Sequence, residues 1–286
     1  MIPPGFDYHA PRSVAEAIGL LGSLPDAKLL AGGHSLLPMM KLRFAQPANL
    51  IDLNRIDALR GIREDGDAVV IGAMTVENDL IASPVLQSRV PLLPEAAKQI
   101  ADPQVRNRGT IGGDIAHGDP GNDHPALMLA LDAVFTLEGP KGARTVAADG
   151  FFHGTYMTAL AEDEILTSIR IPAFRPKTGH AYAKLKRKTG DWATAAAAVV
   201  LRLDGGKVSH VRIALTNLAP AALRATDAEA ALLGQPLSDA AIAAAAAKAM
   251  AACDPAEDLR GDREYKLAMA GQMVQRALRQ AASRCQ

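Results

Sequence analysis

The chain has 286 residues, with 31 Lys plus Arg balanced by 31 Asp plus Glu, a length that suits two or three small cores better than one. The zero formal net charge removes the overall basic field that steers proteins to nucleic acid or anionic lipid. No run of about 18 apolar residues occurs, and the N-terminal "MIPPGFDYHAPRS" lacks the charged and apolar regions of a leader. The expectation is a cytoplasmic protein without membrane insertion.

"RSVAEAIGLLG", residues 12–22, places Ser13 as an N-cap before Val14, Ala17, Ile18 and Leu21 at helical spacing, with Gly22 as a stop. "AKLLAG" reads as a short buried strand; "NLIDL" (49–53) and "AVVIGAM" (68–74) are further strands, and "EDGD" (64–67) supplies turn residues before the last of them. From 76 to 100 the pattern is helical, punctuated by prolines. Residues 101–127, "ADPQVRNRGTIGGDIAHGDPGNDHPAL", hold five glycines and three prolines without a sustained period. They read as a long functional loop. "DAVFTLEG" (132–139) and "ILTSIRIP" (165–172) are strands, "AFRPKTGH" (173–180) has the composition of an interdomain connection, and "AYAKLKRK", "TAAAAVVLRL" and "KVSHVRIALTNL" form an antiparallel meander turned by "DGG" (204–206). Residues 221–286 are Ala-rich and helical.

Only Cys253 and Cys285 are cysteines, and they do not form a C-x-x-C pair, so this chain alone builds neither an iron-sulfur cluster nor a thiolate zinc site. Its seven histidines show no metal-ligand spacing, and Asp119, Asp123 and His124 read as turn chemistry in a Gly/Pro stretch. The expectation is no metal. "KLKRK" (184–188) reads as a strand with a solvated charged face, and Met39 and Met40 as core filler.

Two glycine pairs remain. In "AGGHS" (31–35) the pair follows an apolar strand and precedes "LLPMMKLR", so turn amides could converge on an anion, aided by the following helix. The spacing is neither a P-loop nor G-x-G-x-x-G. Because "TIGGD" (110–114) repeats the arrangement, two loops around one diphosphate are suggested, as a flavin dinucleotide needs, with side chains absent where the ligand approaches.

"AGGHSLLPMMKLR", "ADPQVRNRGTIGGDIAHGDPGNDHPALM" and "KLKRKTGDWATAAAAVV" resemble the medium, FAD-binding subunit of aerobic carbon monoxide dehydrogenase and related molybdenum hydroxylases of the xanthine oxidase family. The resemblance runs over essentially the whole chain. It implies an α+β protein: an N-terminal two-subdomain FAD-binding domain of the vanillyl-alcohol-oxidase/PCMH type over 1–175 (subdomains about 1–55 and 56–175), then a C-terminal flavoprotein domain over 176–286, an antiparallel sheet with helices. It further implies noncovalent FAD embraced by Ala31, Gly32, Gly33, His34 and Ser35 on one loop and Thr110, Ile111, Gly112, Gly113 and Asp114 on the other. Asp123 falls at an acid on the adenosine side, Leu166 near the cofactor, and Lys184 and Trp192 beside the isoalloxazine. Asp114 stands where the family often has Asn, and an ionised carboxylate there would repel a diphosphate. Trp192 stands where Tyr is frequent, keeping a flat ring but losing a phenolic hydrogen bond.

The function so implied is electron transfer from [2Fe-2S] clusters of a small partner subunit through FAD to an external acceptor. Molybdopterin sits on a large partner, the assembly is a dimer of heterotrimers, and no catalytic residue acts on the primary substrate from this chain. Two other readings compete: a free-standing FAD-dependent oxidase or reductase, which needs a general base beside the ring, and a non-enzymatic helical adaptor in which the glycine stretches are only turns.

Overall fold

The structure is a computed structural model and describes residues 2–285. Three main sheets follow one another along the chain. The first is parallel and three-stranded, with Asn49–Asp52 between Asp7–His9 and Ala27–Leu30. All four residues of its central strand are buried, as expected when a parallel strand is covered on both faces. Helix Val14–Ser23 supplies the crossover between Asp7–His9 and Ala27–Leu30. It starts as the sequence reading expects, with the Ser13 hydroxyl accepting from the Glu16 amide at 3.1 Å, and it runs through Gly22 to Ser23.

The second sheet is antiparallel, in the order Ile62–Asp65, Ala68–Gly72, Ile165–Pro172, Val134–Gly139, Gly142–Ala147. The strand at 142–147 had no alternating apolar signal, because it is the exposed edge of the sheet. Between the second and fourth of these strands in the chain lie six short helices. Three of them, Pro103–Arg106, Ile111–His117 and Asp123–Ala130, occupy what sequence reading takes as a loop. The correction has a local cause. Asp102 caps the first helix by accepting from Gln104 and Val105 at 2.8 and 3.0 Å, Thr110 caps the second, and Gly118 at φ +64° ends it. Helices of four and seven residues are too short to display a period, so their caps are the only signal.

The third sheet is the expected meander, Thr178–Leu185, Ala195–Asp204, Lys207–Thr216, with Leu223–Arg224 added at the edge. Its alanine-rich strand is buried on both faces. Ala196, Ala198 and Val200 join the core shared with helices Leu92–Ala97 and Asp123–Ala130, while Ala195, Ala197, Val199 and Leu201 join the core under helix Arg263–Ser283. Small side chains let that helix approach closely; a Cβ at Gly179 would lie 1.9 Å from the Ala281 carbonyl oxygen. Helices Thr226–Leu232, Asp239–Ala251 and Arg263–Ser283 account for the Ala-rich tail.

Candidate functional site: a cavity between two glycine turns

One cavity of about 1020 Å³ is walled by all three sheets and their connections, from Leu21 to Trp192. That is the upper end of the size of small-molecule sites, roughly 300–1,000 Å³. Of the fourteen cofactor-binding candidates taken from the sequence, all but Ile111 line it. Ile111 is fully buried in the core below, and its amide donates to the Thr75 carbonyl at 3.1 Å.

The first glycine turn leaves strand Ala27–Leu30 and is anchored by the Asn54 side-chain amide, which donates to the Ala31 carbonyl at 2.9 Å. Gly33 sits at φ +80°, a conformation that disfavours any residue with a Cβ. The amides of Gly32, Gly33, His34 and Ser35 have no acceptor among the described residues. His34 is exposed at the rim, and the Ser35 hydroxyl makes no cap bond. The helix that follows, Leu36–Lys41, is six residues long. Local amides, rather than the summed dipole of a long helix, are what this turn offers an anion.

The second turn differs. The Gly112 amide donates to the Ala73 carbonyl at 2.9 Å, Gly113 to the Thr110 hydroxyl at 3.2 Å and Asp114 to the Thr110 carbonyl at 3.0 Å. Its amides are therefore engaged inside the protein. The expectation that both turns hold glycyl amides free for a ligand is corrected: only the first leaves its amides without a protein acceptor among the described residues. The reason for glycine changes too. A Cβ at Gly112 would lie 2.4 Å from the Ala73 Cβ, one at Gly113 2.8 Å from the Thr110 hydroxyl, and one at Gly32 2.3 Å from the Arg108 carbonyl oxygen. These glycines let the turns press against the sheet and each other.

Below the second turn lies a buried polar cluster. His124 is fully enclosed, and its Nε2 is 2.9 Å from both carboxylate oxygens of Glu77. Burial opposes charge on the ring, but the Glu77 carboxylate outweighs it and raises the imidazole to about 9. Asp123 accepts from the Lys184 ammonium at 2.6 Å and from the Tyr182 hydroxyl. This pairing corrects an expectation: acid and lysine are in contact, so they cannot serve opposite ends of a dinucleotide. Asp114 has no comparable partner. Its Oδ1 is enclosed without a hydrogen bond, and burial pushes its carboxyl up to about 7.

Trp192 is half exposed at the cavity's edge. Its indole N–H donates to the Asn122 side-chain oxygen at 3.2 Å, and the Arg260 guanidinium carbon lies 5.3 Å from the ring centroid. Sequence reading missed Glu77, Tyr182, Asn122 and Arg260. Glu77 lies 47 positions from its histidine, so no local pattern links them. Among the described residues, no group of three or more His, Cys, Asp or Glu side chains is arranged to hold a metal ion.

A cavity of dinucleotide size, four free amides at one turn and an apolar floor define a site of the nucleotide-cofactor type. Comparison with known proteins agrees. Residues 4–174 match the family model "FAD binding domain in molybdopterin dehydrogenase", and residues 180–281 match "CO dehydrogenase flavoprotein C-terminal domain". The chain belongs to this family of FAD-binding flavoproteins. It is 70% identical to the carbon monoxide dehydrogenase medium chain of Hydrogenophaga pseudoflava over 286 residues, covering 100% of both, and 38% identical to the nicotine 6-hydroxylase medium subunit of Paenarthrobacter nicotinovorans, covering 98% and 99%. Among solved structures, a chain of the H. pseudoflava carbon monoxide dehydrogenase superposes with TM-score 0.99 at 72% identity over 100% of both chains. A chain of quinoline 2-oxidoreductase from Pseudomonas putida 86 does so at 0.94 and 35% identity over 99% of each.

Proposed function

We propose that this chain is the FAD-carrying medium subunit of a carbon monoxide dehydrogenase of the molybdenum hydroxylase type. The observation that carries this is the cavity itself: it joins the four free amides of residues 32–35 to the Asp123–Lys184 pair and Trp192. The residues fit the cofactor. The first turn would hold the diphosphate through backbone donors, which suit an anion at a site whose lining includes only two lysines, Lys28 and Lys184, and no arginine. Asp123, Lys184 and Trp192 would lie together at the isoalloxazine end, with Leu166 in the floor. FAD supplies the redox chemistry when bound; the chain's part is to bind, orient and partly desolvate it.

The same reading assigns a small iron-sulfur partner carrying two [2Fe-2S] clusters, a large molybdopterin partner and a dimer of such heterotrimers. It divides the chain at about 55 and 175, which agrees with where one sheet gives way to the next. A cytoplasmic location accords with two unpaired cysteines; no helix among the described residues is long and apolar enough to cross a membrane.

Purification from the native source tests the proposal. The expected result is one complex of three polypeptides with flavin absorbance, molybdenum and iron, oxidising carbon monoxide with an artificial electron acceptor. A flavin-containing complex inactive on carbon monoxide but active on an aldehyde or heterocycle would overturn the substrate, and a preparation of native complex without flavin would overturn the cofactor.

A further inference from the structure

A second cavity, of about 200 Å³, lies between the C-terminal end of helix Asp123–Ala130, the connection at 172–175 and one face of the third sheet. It shares no lining residue with the larger cavity, although that helix reaches both: Asn122 and Asp123 line the larger one, Ala130, Leu131 and Asp132 the smaller. At 1.5 Å per residue, the helix alone sets the two linings roughly 10 Å apart.

Thr178, Arg202 and His210 are register partners on three adjacent strands, and side chains so paired stand on one face of a sheet. All three line the small cavity together with Arg175 of the connection. A register shift after Arg202 leaves Ser209 without a register partner, and its hydroxyl donates to the Arg202 main-chain carbonyl at 3.2 Å. The Thr178 hydroxyl donates to the Arg175 main-chain carbonyl at 2.7 Å. The main chain is thus secured at both arginines, while their guanidinium groups and the His210 ring have no hydrogen-bond or ion-pair partner among the described residues. The one acid of the lining, Asp132, is committed elsewhere, accepting from the Arg212 guanidinium at 2.8 and 3.0 Å. Positive charge therefore faces this cavity without a counterion from the described residues.

We propose that the small cavity binds a tetrahedral oxyanion, inorganic phosphate or the phosphate group of a small monoester, through the Arg175 and Arg202 guanidinium groups with the His210 ring as a further donor. A guanidinium presents its N–H groups in a planar fork that matches phosphate oxygens two at a time. The volume sets the upper limit of the ligand, since it falls below the roughly 300–1,000 Å³ of sites for larger organic molecules. The His210 imidazole is pushed down to about 4 by burial and by the Arg212 and Arg202 cations, with Arg224 adding and Asp132 opposing. At neutral pH the ring is accordingly uncharged and keeps one N–H to donate. The bound ion would tie the connection to the meander, because Arg175 belongs to the first and Arg202 and His210 to the second. On its other side the connection is already fixed: the Ala173 and Phe174 amides donate to the Asp67 and Arg89 carbonyls at 2.8 and 2.7 Å.

Equilibrium dialysis of the intact complex against radiolabelled inorganic phosphate tests the site, at pH 7.5, with excess FAD present and ionic strength held constant with chloride. The wild type should bind one phosphate per copy of this chain beyond what the Arg202→Gln complex binds. Arg202→Gln and, separately, Arg175→Gln should each raise Kd about tenfold or more, the loss expected for one charge-assisted bond. In chloride alone both variants should melt within about 2 °C of the wild type, which separates lost binding from lost folding. Should Arg202→Gln melt lower, Arg175→Gln decides, because Arg175 is exposed on the connection. Displacement of the label by glycerol phosphate would assign the site to a monoester, and displacement by sulfate but not by glycerol phosphate would assign it to the free ion. Equal phosphate binding by the wild type and both variants, or no saturable binding by the wild type, would overturn the proposal.

Discussion

The two glycine turns look alike in sequence and differ in what they have left to give. At 31–35 the backbone is anchored at Ala31 and then runs through four amides without protein acceptors. At 110–114 each amide from Ile111 to Asp114 is engaged, two of them with residues at the end of strand Ala68–Gly72. The first turn is a donor surface, and the second is a joint. A glycine pair therefore does not by itself announce ligand contact: at Gly32, Gly112 and Gly113 the missing side chain makes room for another part of the same chain.

The sharpest test of this contrast is Gly112→Val. Its side chain would enter the volume of Ala73, so it should cost about 3 kcal/mol or more in denaturant unfolding, with flavin loss following from the disrupted joint. Flavin loss without destabilisation would mean that Gly112 faces the ligand after all. Next in size is pH. His124 is raised to about 9 by Glu77, so its contribution is fully present below about 6.5, the ordinary histidine value, and is lost as pH rises through 9. Asp114, raised to about 7 from the ordinary carboxylate value near 4, acts in the same direction: stability falls as pH climbs from about 4 to 7. Apo protein should accordingly melt at a lower temperature at pH 9.5 than at pH 7, and Glu77→Gln should flatten that limb. The cluster lies below the second turn, so amide hydrogen exchange, corrected for intrinsic rates, should quicken at 110–117 before it does at 32–37.

Smaller effects separate the turns further. Gly33→Ala forces a Cβ into positive φ and should cost about 1 kcal/mol. Unlike Gly112→Val, it should reduce FAD retention out of proportion to its small melting shift. Thr110→Ala removes the hydroxyl that caps the Gly113 amide and should cost about 1 kcal/mol by the same denaturant assay. His34→Ala, at the exposed rim, should change unfolding by less than about 0.5 kcal/mol.

Much of this was legible in residue order. The strand at 165–172, the meander with its "DGG" turn, the Ser13 cap and the helical tail all follow from periodicity and capping, because each is long or carries its own stop signal. The resemblance carried by the two glycine motifs placed thirteen of fourteen site residues on one cavity wall. What stayed hidden is non-local. Engagement of the second turn's amides depends on Ala73 and Thr75, more than thirty positions upstream, and the charge on His124 depends on Glu77. The helices inside 101–127 were missed because glycine and proline content outweighed their caps. The opposed assignments of Asp123 and Lys184 failed because sequence separation says nothing about a 2.6 Å contact between a helix and a strand.

The cavity wall draws on segments as far apart as Leu21 and Trp192. The three-stranded parallel sheet, whose last strand ends at Asp52, is synthesised more than a hundred residues before the lysine and tryptophan that line the far side. The Asp123–Lys184 pair and the Trp192 wall do not yet exist at that stage, so the cavity is complete only once the third sheet has been made.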